Sequence, residues 1–472
     1  MSTTRKIAHN TIIQIVGKAV STFFGLFAIG MMTRYLGSEK FGWYVTVISF
    51  LQFIGILIDF GLIPVTAQMM SEPNFDKKQL FRNLLGFRFT TAIIFLAIAP
   101  FIALFFPYPD EVKIAITFST ISFLSICMNQ ILNGYYQATL KMHIQVIGEV
   151  TGRIVLVLGL LLLIMQKASF LSVMWLIVLS SVSYTIVLWL SARKSTPAGF
   201  GFDWDIWKAI AKKMWPIAIS IMFNVIYLKG DIVILSIFKS QTEVGIYGAA
   251  YRVIDILAQL AMMIMGVMLP LLAYAWSRNL KHDFRLRYQQ SFDAIMLFAV
   301  PMAVGTLLLG DKIMLLVAGP KFIESGVVLK VLAFAVFWVY LGAVFGHTAV
   351  AINRQKQTIW IFLSDAVLTL IGYFIFIPLY GMHGAAWMTV FSELYAGILL
   401  FLTVRHYAQE KLRMKTLSKI IIASVIMGSL LVLFSTLHII VLVIIGVVSY
   451  GVVLLAIGGI SKETLKEISY LK

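Results

Sequence analysis

The chain has 472 residues, of which 60% are hydrophobic and 12% are charged, and its formal net charge is +17. Soluble domains carry about 25% charged residues, so this composition excludes an ordinary soluble protein and indicates one that crosses a membrane many times. The single cysteine, Cys127, excludes an internal disulfide and a cysteine-based metal site.

Long apolar windows follow one another along the whole chain, separated by glycine, proline and charged clusters. Each is about 20 residues long, enough for one helix across a hydrocarbon core of about 30 Å. The first window follows basic residues without a cleavage pattern, so it is predicted to be a retained helix. The sequence therefore predicts an all-α polytopic membrane protein with about fourteen spans. They cover residues 12–32, 43–69, 84–106, 113–133, 146–165, 171–190, 214–238, 245–275, 291–309, 326–350, 358–379, 381–403, 418–437 and 439–459.

Lysine and arginine concentrate in alternate loops and in the two termini. The positive-inside rule then predicts that both termini are cytoplasmic. Topology and contact with anionic membrane lipids account for much of the net charge, so nucleic acid is not a predicted partner. Between the sixth and seventh windows, Trp207, Ile210, Ala211 and Met214 follow helical spacing, which predicts an interfacial amphipathic helix.

Two stretches of the chain resemble each other at an offset of 203 residues, where Gly42-x-Tyr44 matches Gly245-x-Tyr247. The offset pairs the first span with the seventh and preserves orientation. It predicts two lobes related by an axis along the membrane normal, with a cavity at their interface. The predicted division is an N-terminal six-helix lobe at 1–195, an interfacial linker helix at 196–213, a C-terminal six-helix lobe at 214–405, and two additional helices with a cytoplasmic tail at 406–472.

Polar residues within the spans mark the predicted cavity, because a charge at the centre of a spanning helix costs about 2.5–3.5 kcal/mol. The predicted substrate-binding residues are Lys18, Gln52, Asn224, Lys229, Arg252 and Gln259, and the predicted ion-coupling residues are Asp59, Asp231 and Asp255. Lys229 fits least, since it lies about half a turn from Asp231 on an ideal helix. The alternative for Arg252 and Asp255, three residues apart, is a purely structural pair.

Other charged residues within the spans give weaker signals. Glu149 and Arg153, four residues apart, are predicted to pair structurally. Asp293, Asp365 and Glu393 follow no pattern that predicts a role. The histidines lack metal-ligand spacing and no phosphate-binding glycine loop occurs, so no catalytic residue, metal or cofactor is predicted apart from a coupled H⁺ or Na⁺.

Four motifs carry a family resemblance: Thr33-Arg34-Tyr35-Leu36-Gly37, then Phe41-Gly42-Trp43-Tyr44, Gly245-Ile246-Tyr247, and Pro378-Leu379-Tyr380-Gly381-Met382-His383-Gly384-Ala385-Ala386. With the span layout, they resemble the Wzx-type polysaccharide flippases of the multidrug/oligosaccharidyl-lipid/polysaccharide exporter superfamily. The resemblance implies two six-helix lobes in a V shape plus two C-terminal helices. It also implies that undecaprenyl-pyrophosphate-linked oligosaccharide, for O-antigen or capsule, crosses a bacterial inner membrane.

In such flippases basic cavity residues meet the pyrophosphate and sugar, and Lys18, Lys229 and Arg252 are the positions here that fit. The related lipid II flippases carry a denser arginine cluster, whereas this chain offers only Lys18 and Arg34 near the first two spans. Membrane lipids and a polysaccharide polymerase with other assembly proteins are the further expected partners.

Two alternatives stay open. A drug or cation antiporter of the same superfamily would be expected to line its cavity with acidic and aromatic residues, whereas basic residues lie on spans 1 and 8 here. A membrane-embedded polysaccharide polymerase or ligase would be expected to present a large outer loop with catalytic arginine and histidine. The predicted outer loops are short, so the flippase is the favoured prediction.

Overall fold

The structure, a computed structural model, describes residues 3–59, 62–71, 76–195 and 199–459. The side chains of these residues are also described, except those at 3–12, 15, 56–59, 63–64, 67–68, 71, 195, 216–221 and 224–228. The regular structure of these ranges is helical throughout. The helices are α1 (Thr3–Asp59), α2 (Leu62–Ser71), α3 (Lys77–Leu104), α4 (Asp110–Ala138), α5 (Met142–Met165), α6 (Phe170–Ser195), α7 (Trp204–Phe238), α8 (Gln241–Ser277), α9 (Lys281–Val317), α10 (Glu324–Ala351), α11 (Gln355–Ala408), α12 (Lys415–Leu433) and α13 (Ile439–Ala456), with a short 3-10 helix at Pro320–Phe322.

Two of the long helices are each broken by one glycine. Gly37 in α1 has φ 73° and Gly381 in α11 has φ 57°, a region of backbone conformation that favours glycine. Consequently α1 contains the first predicted span and much of the second, and α11 contains the eleventh and twelfth. Within the described residues, eleven helices are long and apolar enough to cross a membrane. The prediction of an all-α polytopic membrane protein is confirmed.

Contacts divide the chain into two compact units, Met1–Gly245 and Ile246–Lys472. The core at one end of the first unit includes Leu80 and Leu84 of α3 together with Ile206, Ile210 and Met214 of α7. The apolar side of the predicted amphipathic helix therefore packs on protein. That helix is the first part of α7, which continues without a break through the seventh predicted span. The lobe boundaries stay predictions.

The segment that precedes α7, residues 199–203, is attached to α3, and we call it the strap. The N–H of Gly201 donates to the carbonyl of Arg82 at 2.8 Å, and the N–H of Asp203 donates to Asn83 Oδ1 at 2.7 Å. The Asp203 carboxylate then accepts hydrogen bonds from the first turn of α7. Since the first N–H groups of a helix lack intrahelical acceptors, this cap fixes where α7 begins relative to α3.

The two glycines of the sequence repeat lie at one backbone crossing within the first unit. A Cβ atom on Gly42 would lie 1.7 Å from the carbonyl oxygen of Gln241, and one on Gly245 would lie 2.0 Å from the carbonyl oxygen of Ser38. Gln241 follows Ser38 by the same 203 residues that separate the glycines. The crossing is therefore symmetric at the level of single atoms, and it requires glycine on both sides.

In the second unit, α12 and α13 pack on α9, as the core around Leu309, Met427, Leu431 and Leu442 shows. The hydroxyl of Tyr450 in α13 donates to the carbonyl of Leu297 in α9 at 2.9 Å. These two helices occupy the positions of the two additional helices that the sequence predicts near its end.

Candidate functional site

A polar cluster in the first unit joins α1 to α5. Lys18 Nζ lies 3.5 Å from Glu149 Oε1, and Ser21 Oγ donates to the same oxygen at 2.6 Å. Arg153 Nε donates to Ser21 Oγ at 3.4 Å. We call these four residues the α1–α5 cluster. The predicted contact of Glu149 with Arg153 is thus replaced by contacts that both residues make to α1.

Helical spacing explains why these side chains meet. Lys18 and Ser21 are three residues apart on α1, and Glu149 and Arg153 are four apart on α5, so each pair occupies one face of its helix. The two helices approach closely here, because a Cβ atom on Gly17 would lie 2.3 Å from a methyl carbon of α5. The cluster therefore follows from two faces held together by a glycine contact.

The α1–α5 cluster has an excess of one positive charge, because it holds two cations and one carboxylate. The side chain of Lys18 is 42% exposed, whereas that of Glu149 is 20% exposed and Ser21 is buried. A cation inside a span is costly unless it is paired. The exposed ammonium group and the planar guanidinium of Arg153 together suit an anionic ligand, above all a phosphate group.

The other predicted site residues are divided between the two units. In the first unit, Gln52 and Lys229 are half-buried, and Asp231 is fully buried with its Oδ1 2.7 Å from the N–H of Ile232. In the second unit, Arg252 Nη1 lies 3.7 Å from Asp255 Oδ2, which is the pairing expected of the structural alternative.

Gln259 of the second unit is half-buried. The side chains of Asp59 and Asn224 lie outside the described residues. The structure brings Lys18 together with the α5 residues, and the convergence of all the predicted residues on one cavity stays a prediction.

The second unit holds two buried carboxylates on the two arms of α11. Asp365 is fully buried and Glu393 is 7% exposed. The hydroxyl of Thr369 donates to Asp365 Oδ1 at 3.0 Å, while Asp365 Oδ2 has no hydrogen-bond partner among the described residues. Two adjacent carboxylates resist being ionised together, so this pair favours binding a proton or another cation.

The proximity of these two residues was predictable from their distances to the helix break, although not from residue spacing within a single helix. Asp365 and Glu393 each lie 14 residues from Leu379, beside the Gly381 break. A helical hairpin that turns there places the two residues at the same height. The hydrogen bond from the Tyr395 hydroxyl to Ser364 Oγ, at 3.1 Å, shows the same register.

Comparisons with known proteins agree with this architecture. The sequence profile of a family described as "Polysaccharide biosynthesis protein" matches residues 31–327, which is more than half of the chain. The chain is also 27% identical over 207 residues to a probable low-salt glycan biosynthesis flippase of Haloferax volcanii. That similarity spans 44% of this chain and 44% of the relative, so less than half of the relative's length is matched.

Two solved structures share the fold. The lipid II flippase MurJ in an inward closed conformation has a TM-score of 0.78 at 14% identity, over 95% of this chain and 99% of that one. An inward-facing multidrug resistance MATE family transporter of the MOP superfamily has a TM-score of 0.68 at 14% identity, over 84% of this chain and 98% of that one. The all-α polytopic membrane fold that the sequence predicts is thereby confirmed. With the family match at residues 31–327, this multi-pass membrane protein belongs to the polysaccharide biosynthesis protein family.

Proposed function

We propose that this protein is a flippase that moves oligosaccharide repeat units, carried on undecaprenyl pyrophosphate, across the bacterial inner membrane. The observation that carries the proposal is the excess positive charge of the α1–α5 cluster. An antiporter for drugs or cations would be expected to present the opposite charge. Membership of a polysaccharide biosynthesis family supports a glycan cargo rather than a drug.

Substrate binding, in this proposal, is an exchange of partners at Lys18. Its 3.5 Å contact with Glu149 is longer than a strong charge-assisted hydrogen bond of about 2.7–2.9 Å. An arriving pyrophosphate therefore competes well for the ammonium group, while Glu149 keeps its bond to Ser21. Arg153 supplies further donors to the phosphate oxygens. Lys229 and Arg252 are proposed to contact the same head group, and Gln52, Asn224 and Gln259 to contact the sugars.

Transport then follows by alternating access. The cavity, open to the cytoplasm, takes the charged head and its sugars, and the polyprenyl tail stays in lipid. Closure of the cytoplasmic side and opening of the other side deliver the head to the outer leaflet, where a polysaccharide polymerase uses it. Both termini stay in the cytoplasm in this orientation, as the distribution of basic residues favours.

A cation gradient is proposed to give this cycle its direction. The sequence assigns coupling by H⁺ or Na⁺ to Asp59, Asp231 and Asp255. The Asp365–Glu393 pair is an additional candidate, because both groups are buried and a bound cation would relieve their mutual repulsion. Enzymatic chemistry has no part in the proposal, since translocation breaks no covalent bond.

Deletion of the gene in its native host tests the proposed function. The lipid-linked oligosaccharide is expected to accumulate in the cytoplasmic leaflet, measured by its protection from a membrane-impermeant sugar-modifying reagent in spheroplasts. Normal delivery to the outer leaflet, in a strain without a redundant transporter, would refute the flippase.

Lys18→Gln tests the α1–α5 cluster. Transport is expected to fall about 10-fold or more, because a hydrogen bond to a charged group contributes about 1.5–3 kcal/mol. Lys18→Arg should retain most of the rate, and Lys356→Gln, at an exposed position near the start of α11, serves as the matched control. Equal rates for Lys18→Gln and Lys356→Gln at equal protein levels would return Lys18 to a structural role.

A further inference from the structure

The exposed side of the first turns of α7 carries tryptophan and lysine. Trp204, Lys208, Lys212 and Trp215 occupy positions i, i+4, i+8 and i+11, so they share one face of the helix. Trp204 and Trp215 are each 66% exposed, the side chain of Lys208 is 64% exposed, and Lys212 is exposed. We call these four residues the Trp–Lys face.

The opposite side of the same helical turns packs in the protein core, and this packing determines which way the Trp–Lys face points. Ile206, Ile210 and Met214 are at most 8% exposed and pack in the core with α3. The strap holds the beginning of α7 to α3 by backbone hydrogen bonds. The Trp–Lys face therefore cannot turn inward, and its two tryptophans stay exposed on the surface of the first unit.

The end of the face at Trp215 and Lys212 matches the height of the headgroup layer of a bilayer. Trp215 lies at the start of the apolar window 214–238, where tryptophan marks the boundary between hydrocarbon and headgroups. At a rise of about 1.5 Å per residue, Lys212 and Lys208 lie about 5 and 10 Å further along the axis. Trp204 lies one turn beyond, with the ammonium of Lys208 5.9 Å from its ring centroid.

The charge around the face is positive. A cleft of about 510 Å³ next to the first turn of α7 adds Lys78 and Arg82 at its lining, together with Asp76 and Asp203. Both of these aspartates cap helices and keep their negative charge. Asp205 lies 3.8 Å from Lys208 and is 94% exposed, so water screens this pair. Lys208, Lys212, Lys78 and Arg82 outnumber Asp76, Asp203 and Asp205 by one, and this positive excess favours an anionic surface.

We propose that the Trp–Lys face binds the headgroups of anionic phospholipids in the leaflet where α7 begins. Lys208 and Lys212 contact the phosphates, Trp215 lies at the edge of the hydrocarbon, and Trp204 lies on the aqueous side of the headgroup layer. The membrane contact is thus made by the side of the helix opposite to its apolar stripe. Binding of these lipids needs no oligosaccharide, so its test is independent of the proposed transport.

The test uses the full-length protein in phosphatidylcholine vesicles that contain phosphatidylglycerol, with bromine on the acyl chains of one lipid at a time. The quenching of Trp215 is taken as the difference between the parent protein and Trp215→Phe. Brominated phosphatidylglycerol is expected to associate at this position about tenfold more strongly than brominated phosphatidylcholine. Lys208→Gln combined with Lys212→Gln should abolish that preference, and Lys208→Arg combined with Lys212→Arg should keep it.

The matched control removes two exposed lysines elsewhere, by Lys356→Gln combined with Lys411→Gln, and should leave the preference intact. Equal quenching by the two brominated lipids in the parent protein would overturn the proposal. An equal loss of preference in the control variant would also overturn it, because the effect would then come from net charge alone.

Discussion

Gly42→Ala is expected to lower the free energy of unfolding by about 3 kcal/mol or more and to reduce the yield of folded protein. The new Cβ atom would lie 1.7 Å from the carbonyl oxygen of Gln241 and 3.0 Å from the amide nitrogen of Gly245. Both are backbone atoms, so the clash is relieved only by moving a segment of chain. Thermal unfolding of the purified protein measures the loss.

Gly245→Ala should have an effect of the same size, since its Cβ atom would meet the carbonyl of Ser38 at 2.0 Å. Gly266→Ala is the matched control in the same helix, because no atom lies within 4 Å of its Cβ position. The control is expected to be neutral or stabilising by up to about 1 kcal/mol, as alanine favours a helix over glycine. Equal stability of Gly42→Ala and Gly266→Ala would show that the crossing has room for a side chain.

Asp365→Asn is expected to remove the dependence of transport on a cation gradient and, at the same time, to stabilise the protein. Asparagine keeps the shape and the oxygen that accepts from Thr369, but it removes one of two buried negative charges. Removing one of two like charges relieves the repulsion between them, which is the reason for the expected gain in stability. Transport in proteoliposomes under imposed H⁺ or Na⁺ gradients, together with thermal unfolding, measures both effects.

Glu393→Gln should likewise remove the dependence on the gradient and stabilise the protein, because removing either carboxylate ends the repulsion between the two. Asp283→Asn, at an exposed position in the first turn of α9, is the control and should change neither quantity. A variant at Asp365 that is more stable but still responds fully to the gradient would leave the pair a structural feature. Coupling would then be sought at Asp59, Asp231 or Asp255.

The spans were predictable because hydropathy is a property of a window of about 20 residues and needs no knowledge of contacts. The continuity of helices was not predictable in this way. A single glycine with positive φ separates two spans at Gly37 and at Gly381, and at each the helical segments on both sides adjoin directly. The amphipathic stripe of α7 was visible in the sequence, but its spacing does not tell whether protein or lipid covers Ile210 and Met214.

The residues of the candidate site were predictable from their spacing within single helices, whereas their contacts between helices were not. The position of Lys18 inside the first span selects it, and the spacing on α8 selects Arg252 and Asp255, which the structure places within 3.7 Å. The partner of Glu149 depends on which helix packs beside α5, so the spacing of Glu149 and Arg153 predicted the wrong contact. Asp365 and Glu393 come together through a hairpin, which spacing within one helix does not report.

The symmetric crossing of Gly42 and Gly245 has a consequence for the origin of the chain. The carbonyl that meets each glycine belongs to the residue four positions before the other glycine. This reciprocity is the signature of an isologous contact in a two-fold dimer. We expect that a half-length ancestor paired with a second copy of itself through one glycine used twice. After duplication and fusion, each descendant glycine is held in place by the other, and neither can be lost alone.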